Sequence, residues 1–293
     1  MVEAILKIII PITMFGLMFG MGLTLTKADF KRILSFPKPT FIALILQLLV
    51  LPIVGFALAG AFGLSTMMAV GLVAVAACPG GTTSNIVVHM GKGDTALSIT
   101  ITATATMVTL FTLPLWTKLA LDYFGGSDNL VIDMPVLQTA FQIALFTVFP
   151  VALGMLLRLK IPALIAREPM ISKLSTAAML MAFIGSGFVD SNDLLSKAVV
   201  MIVPALLFVL CAMCIGYGVP RVLGVNQKDS ATIAVETCLK NILLSMFLAT
   251  TALKDMEAAL ASVVVGMVMM PVAVGIMLVY RLSNKTPEVA IPS

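Results

Sequence analysis

Long apolar runs recur along this chain from one end to the other, joined only by short polar links. Nine can be placed, at about 4–24, 38–62, 66–90, 94–121, 135–158, 171–190, 196–219, 229–253 and 257–281. Each is close to the ~20 residues that a helix needs to cross a bilayer. Hydrocarbon offers the backbone no hydrogen-bond partners, so such a run folds as a helix that satisfies itself. Only 11% of the residues are charged, against ~25% in a soluble domain. The expectation is an all-α polytopic membrane protein with nine transmembrane helices. Lys7 followed by an apolar run has the look of a leader, but no small-x-small cleavage pattern follows, so it reads as a retained first span.

Charge in the links sets an orientation. Thirteen of the eighteen Lys and Arg residues fall in links of one parity, and four (Lys7, Lys118, Lys197, Lys254) in the other. By the positive-inside rule the richer side is cytoplasmic, with the N-terminus outside, the C-terminus inside and 282–293 a short cytoplasmic tail. The loop with Asp122, Asp128 and Asp133 then lies outside. The net charge of +4 reads as this bias. Basic patches with interleaved aromatics, the mark of a nucleic-acid binder, are missing. Cys211 and Cys214 have CxxC spacing, but they sit inside an apolar helix and the chain has one histidine, His89. Buried thiols fit better than a zinc site. His89 reads as an interfacial side chain near the cytoplasmic end of the third span, a proton-relay role being the less favoured reading.

The third span contains CPGGTTSN, Cys78 to Asn85. Pro79, Gly80 and Gly81 interrupt a regular helix at mid-membrane. Backbone groups freed there need protein or a water-filled cavity. The polar run just after them suits the start of a second half-helix, whose free amides attract anions. A kink with hydroxyls bonded back to the helix would need fewer polar residues.

The eighth span carries the charges. Glu236 and Lys240 stand four apart within an otherwise apolar stretch, with no proline or glycine beside them. Intramembrane ionisable residues are expensive and mark functional sites. On an unbroken helix, i and i+4 share a face, so the two charges would partly neutralise each other. An unwound segment is weakly signalled here.

The halves echo each other. Aligning Asn85 with Asn241 brings Pro114 close to Pro271, and a short loop with an acid (Asp94; Asp255 and Glu257) precedes the following span in each half. Phe19–Phe30 loosely resembles Phe183–Leu194. The chain thus reads as one membrane unit, 1–293, of two repeats, about 4–121 with four spans and about 135–281 with five. The odd offset inverts one repeat relative to the other, the pattern of secondary transporters with interrupted helices at the midplane.

CPGGTTSN, the earlier FGMGLTL at Phe19–Leu25 and the late Glu236–Asn241 segment together resemble the bile acid:sodium symporter family over nearly the whole chain, in its nine-span form. The resemblance implies a panel domain and a core domain in which two broken helices cross. It also implies transport of small organic anions by alternating access. A first sodium site would comprise Ser84, Asn85, Ser98, Thr102 and Glu236, all with oxygen-bearing side chains. The bland reading of Ser98 and Thr102, which are i and i+4, is hydroxyl packing between helices. The substrate, a carboxylate, would lie at the half-helix N-termini near Thr82, Thr83 and Asn241. The second cation site would use Gln47 and Glu236, but its third position is Lys240, where the family usually has glutamine. A charged ammonium has no lone pair and cannot coordinate sodium. Two unit charges ~4 Å apart interact by ~4 kcal/mol at an effective dielectric of ~20, so Lys240 would repel a cation there. Three readings stay open: Lys240 replaces the second sodium, leaving coupling to one Na+ or none; Lys240 with Glu236 couples transport to protons; or the pair only holds structure.

Other classes fit less well. A membrane enzyme needs paired aspartates for a metal or a nucleophile–base set, and the sequence shows neither, so no catalytic residue and no cofactor beyond a possible Na+ is expected. A channel or a non-transporting membrane receptor shares the composition. Cation–proton antiporters usually centre on crossover aspartates, which this chain lacks. The partners expected are a small organic anion and the lipid bilayer, an inner (plasma) membrane of a bacterium by preference, and no nucleic acid.

Overall fold

The structure, a computed structural model, describes residues 2–26, 37–126, 135–187 and 191–283. Those residues are helical nearly throughout. In chain order the helices are α1 (Val2–Thr24), α2 (Pro37–Ala61), α3 (Thr66–Ala77), α4 (Thr82–Met90), α5 (Thr95–Gly125), α6 (Val136–Lys160), α7 (Glu168–Gly187), α8 (Ser191–Val222), α9 (Gln227–Cys238), α10 (Ile242–Leu248) and α11 (Met256–Ser283). A π turn at Leu46–Val50 widens α2, and another, Ala249–Leu253, extends α10. Among the described residues, five segments are long and apolar enough to cross a membrane: Pro37–Ala61, Thr95–Gly125, Val136–Lys160, Leu195–Val222 and Met256–Tyr280. Large apolar side chains stand exposed on their outer faces, among them Phe141 and Phe149 on α6, Val199 and Ile202 on α8 and Met267 on α11. A water-soluble body would cover such surface; a bilayer solvates it.

The helices sort into two packed groups. The panel is α1 with α6 and α7; the core is α2 to α5 and α8 to α11. Within the panel, α1 and α6 meet backbone to backbone. A Cβ on Gly22 would collide with the Val151 backbone, and one on Gly154 with the Phe19 carbonyl and the Leu23 amide. Small residues permit this approach, and apolar helices in lipid gain from it through dispersion. Arg158 of α6 then donates to the Thr24 carbonyl at 2.6 Å, supplying a donor and a positive charge to the α1 C-terminus.

The core repeats its own end chemistry. Among the described residues, positive φ occurs at Gly63, Lys92, Gly224 and Lys254. Gly63 and Gly224 end α2 and α8; Lys92 and Lys254 end the α4 and α10 segments. At Gly63 the Leu64 amide reaches the Ala59 carbonyl, and at Gly224 the Val225 amide reaches the Pro220 carbonyl. This is one C-terminal capping motif used twice. Asp94 and Asp255 then open α5 and α11, accepting from the Leu97 and Ala258 amides at 3.0 Å each. Of the acids that the repeat alignment sets together, Asp94 and Asp255 are matched caps, whereas Glu257 accepts from Ser65 and Lys197.

Both interrupted helices lie at the centre of the core. All of α3 is buried, as is α9 from Asp229 to Cys238. The echo between 19–30 and 183–194 and the acidic loop at 128–133 fall partly outside the described residues, as does the tail from 284 onward.

Candidate functional site

At the centre of the core the two breaks face each other. α3 stops at Ala77 and α4 resumes at Thr82; α9 stops at Cys238 and α10 resumes at Ile242. Gly80 and Lys240 form an antiparallel bridge. The Asn241 amide donates to the Pro79 carbonyl at 2.8 Å, and the Gly81 amide to the Leu239 carbonyl at 3.2 Å. The Gly80 amide donates to Gln47 Oε1 at 3.2 Å. Backbone groups that a break strands in an apolar interior are costly. Here each break satisfies the other. Because a break intervenes between Cys238 and Ile242, Glu236 and Lys240 do not share a helical face, contrary to the i, i+4 expectation. The unwinding has no proline or glycine behind it; the opposite strand supplies its hydrogen bonds. Asn241 completes it by capping α10, accepting from the Leu244 amide at 3.1 Å.

Glu236 is fully buried, and three hydroxyls aim at its carboxylate. Ser84 of α4 donates to Oε1 at 2.5 Å, Ser98 of α5 approaches the same oxygen, and Thr102 of α5 donates to Oε2 at 2.7 Å. Desolvating a carboxylate costs several kcal/mol; hydrogen bonds to a charged group return about 1.5–3 kcal/mol each. They offset part of the burial. Gly80 is required by the same approach, since a Cβ there would run into Glu236 Oε2. The reading of Pro79 to Gly81 as a helix breaker misses this second, steric reason for glycine.

Two kinds of hydroxyl stand out on α5, apart from Thr109, whose buried Oγ1 has no hydrogen-bond partner. Thr100, Thr104, Thr106 and Thr117 donate back to carbonyls one turn earlier in their own helix. Ser98 and Thr102 turn away from it to Glu236. Plain hydroxyl packing does not explain that split. Ser98 also lies 2.7 Å from Asn85 Oδ1, and Ser84 lies 2.6 Å from the Gly81 carbonyl. All five residues expected at the first cation position thus converge. Ser84 and Ser98 hold one hydroxyl hydrogen each, shared among Glu236 Oε1, Asn85 Oδ1 and a Gly81 carbonyl that also accepts from the Ser84 amide at 3.1 Å.

Lys240 is 2% exposed. Its Nζ donates to the Cys78 carbonyl at 3.0 Å and makes no bond to the Glu236 carboxylate. That carbonyl is the C-cap of α3, the negative end of a helix dipole, where a cation is favoured. Gln47 is also fully buried; its Nε2 has no hydrogen-bond partner. Among the anticipated substrate contacts, Asn241 lies at the crossover and is buried, whereas Thr83 is exposed on the first turn of α4. The Thr82 side chain is outside the described residues. His89 is exposed near the end of α4. Of the CxxC pair, Cys214 is exposed and Cys211 half-buried, so the expectation of two buried thiols fails there; α8 turns that face away from the core.

A family model described as the Sodium Bile acid symporter family matches residues 11–198. The chain belongs to that family. Its name is that of a transporter and not an enzyme. Related proteins include a probable chloroplastic sodium/metabolite cotransporter of Oryza sativa subsp. japonica, 32% identical over 80% of this chain and 56% of its own length. An uncharacterized sodium-dependent transporter of Bacillus subtilis is 28% identical over 83% of this chain and 74% of its own. The human ileal sodium/bile acid cotransporter is 25% identical over 82% and 68%. The chain spans little more than half the length of the first three plant relatives it matches. Members of this family are integral to membranes, in keeping with the apolar exterior.

Proposed function

We propose that this chain is a secondary active transporter of small organic anions, carboxylates by preference, working by alternating access between panel and core. The observation that carries the reading is the pair of crossed, mutually bonded breaks with a buried carboxylate beside them. Half-helix ends brought together at mid-membrane present amides to an anion and carbonyls to a cation. Names of relatives specify sodium with metabolites or bile acids, which supports an organic substrate.

Sodium enters as a co-transported ion at Ser84, Asn85, Ser98, Thr102 and Glu236. These residues fit it: each carries a hard side-chain oxygen, and hydroxyl, amide and carboxylate oxygens gather around one buried acid. Lys240 takes the place of a second sodium. Support comes from its ammonium on the C-terminal carbonyl of α3, the kind of position a half-helix offers to a cation. Coupling is then to one sodium or none. The substrate carboxylate binds near Thr82, Thr83 and Asn241. In this reading the chain has nine spans in two inverted repeats, about 4–121 and 135–281. Its N-terminus is outside and its C-terminus cytoplasmic, in a bacterial inner membrane.

Uptake into proteoliposomes tests this directly, using radiolabelled bile acids and 2-oxo acids with sodium present or replaced by choline. Saturable uptake with a sodium response no steeper than first order is expected. A steep two-ion response sinks the role given to Lys240, and absence of uptake and counterflow across the panel of anions sinks the transporter.

A further inference from the structure

The crossover depends on a part of the chain that the transport reading leaves unused. The π turn of α2 spans Leu46–Val50 and closes with the Leu51 amide on the Leu46 carbonyl. In a regular helix the Leu48 carbonyl would accept from residue 52. That residue is Pro52, which has no N–H and whose ring crowds the carbonyl one turn back. The Leu48 carbonyl therefore lacks the i+4 donor that a regular helix supplies, in a setting where water does not replace it. Trp116 of α5, the chain's one tryptophan, donates Nε1 to it at 2.8 Å. The indole is held against Phe56, centroid to centroid 6.0 Å.

Gln47 stands inside that π turn and accepts from the Gly80 amide. Gly80 is bridged to Lys240 and pressed against Glu236. An inserted residue swings the side chains on either side of it by about 100° around the helix. A regular α2 would therefore aim position 47 elsewhere.

We propose that Pro52 and Trp116 are positioning residues for the crossover. Pro52 enforces the wide turn by withholding an amide. Trp116 satisfies the carbonyl left behind. The turn then delivers Gln47 to Gly80, and Gly80 holds the backbone against which Glu236 and Lys240 are set. This rests on the transport reading only for its uptake arm.

The test uses the full chain and three variants, Pro52→Ala, Trp116→Phe and the double variant. Three readouts are needed: Tm, labelling of buried Cys78 by N-ethylmaleimide located by peptide mass spectrometry, and uptake in proteoliposomes. Pro52→Ala restores the missing amide, so Tm holds while the turn relaxes, Cys78 labels several-fold faster and uptake falls on the order of tenfold. Trp116→Phe keeps the ring on Phe56 but strands the carbonyl, so Tm falls. In the double variant the new amide serves that carbonyl. Tm recovers, yet Cys78 stays reactive. Cys78 as protected in Pro52→Ala as in the parent, or protection returning with Tm in the double variant, overturns the proposal. A parent chain without uptake refutes the transport reading instead, and the labelling arms stand independently of it.

Discussion

Hydroxyl direction is the residue-level detail on which the site turns. Thr102 and Thr106 are both buried threonines on α5, but their hydroxyls do different things. Thr106→Val removes a donor from a carbonyl that the helix already serves, so little changes. Thr102→Val removes a donor from a buried carboxylate and should cost about 1.5–3 kcal/mol. Equilibrium unfolding in detergent compares the two, and equal losses would undo the assignment. Lys240→Gln is the sharper variant. It replaces the ammonium by a neutral amide. If Lys240 stands in for sodium, the variant gains sodium-dependent thermal stabilisation, about 2.7 kcal/mol at a hundredfold excess over Kd. A sodium response identical to the parent's would end that idea. The identities of Ser84, Asn85, Ser98, Thr102 and Glu236 were legible through the resemblance, and the i, i+4 spacing of Ser98 and Thr102 agrees with it. The partner of Lys240 was not. It is a backbone carbonyl 162 positions away, and no side-chain pattern marks a carbonyl.

Helix ends carry the corresponding information for whole elements. Lys92 and Lys254 hold left-handed conformations, φ 61° and 54°, where Gly63 and Gly224 serve the equivalent ends of α2 and α8. An L side chain in that region costs about 1–2 kcal/mol, and glycine's larger unfolded-state entropy cancels part of the gain. Lys92→Gly and Lys254→Gly should each stabilise by about 0.5–1 kcal/mol, read as a higher Tm. Asp94→Ala and Asp255→Ala remove matched caps and should each lower stability by about 1 kcal/mol. Unequal effects within either pair would argue against equivalent ends. The break at Pro79 to Gly81 is written in residues that cannot continue a helix. The break at Leu239 to Asn241 is not, because a Cys-Leu-Lys-Asn segment can be helical. It unwinds because Pro79 and Gly81 offer it backbone partners and Asn241 caps α10 beyond it.

Across the whole molecule, division into panel and core follows from which faces pack. α1 is held by α6 through Gly22 and Gly154, with no room for a side chain at either. Gly154→Leu should therefore detach α1 and lower Tm, while the same change at Gly275, which has open space around it, should be tolerated. Orientation is a separate matter, argued from lysine and arginine placement. Lys92→Cys should label with an impermeant maleimide only from the cytoplasmic face, and Lys254→Cys only from outside. Labelling of both from one side would contradict the inverted arrangement.

Apolar run length, the charge bias of the links and the Pro-Gly-Gly interruption are local properties, and from them the sequence alone determined a helical membrane protein and one of its two breaks. Such properties arise from the demand that each segment satisfy its own backbone in hydrocarbon. Tertiary structure decided the second break, the company of Glu236 and the carbonyl under Lys240. Each depends on hydrogen bonds between segments more than 130 residues apart, and helical periodicity carries no record of what a stranded backbone group will meet.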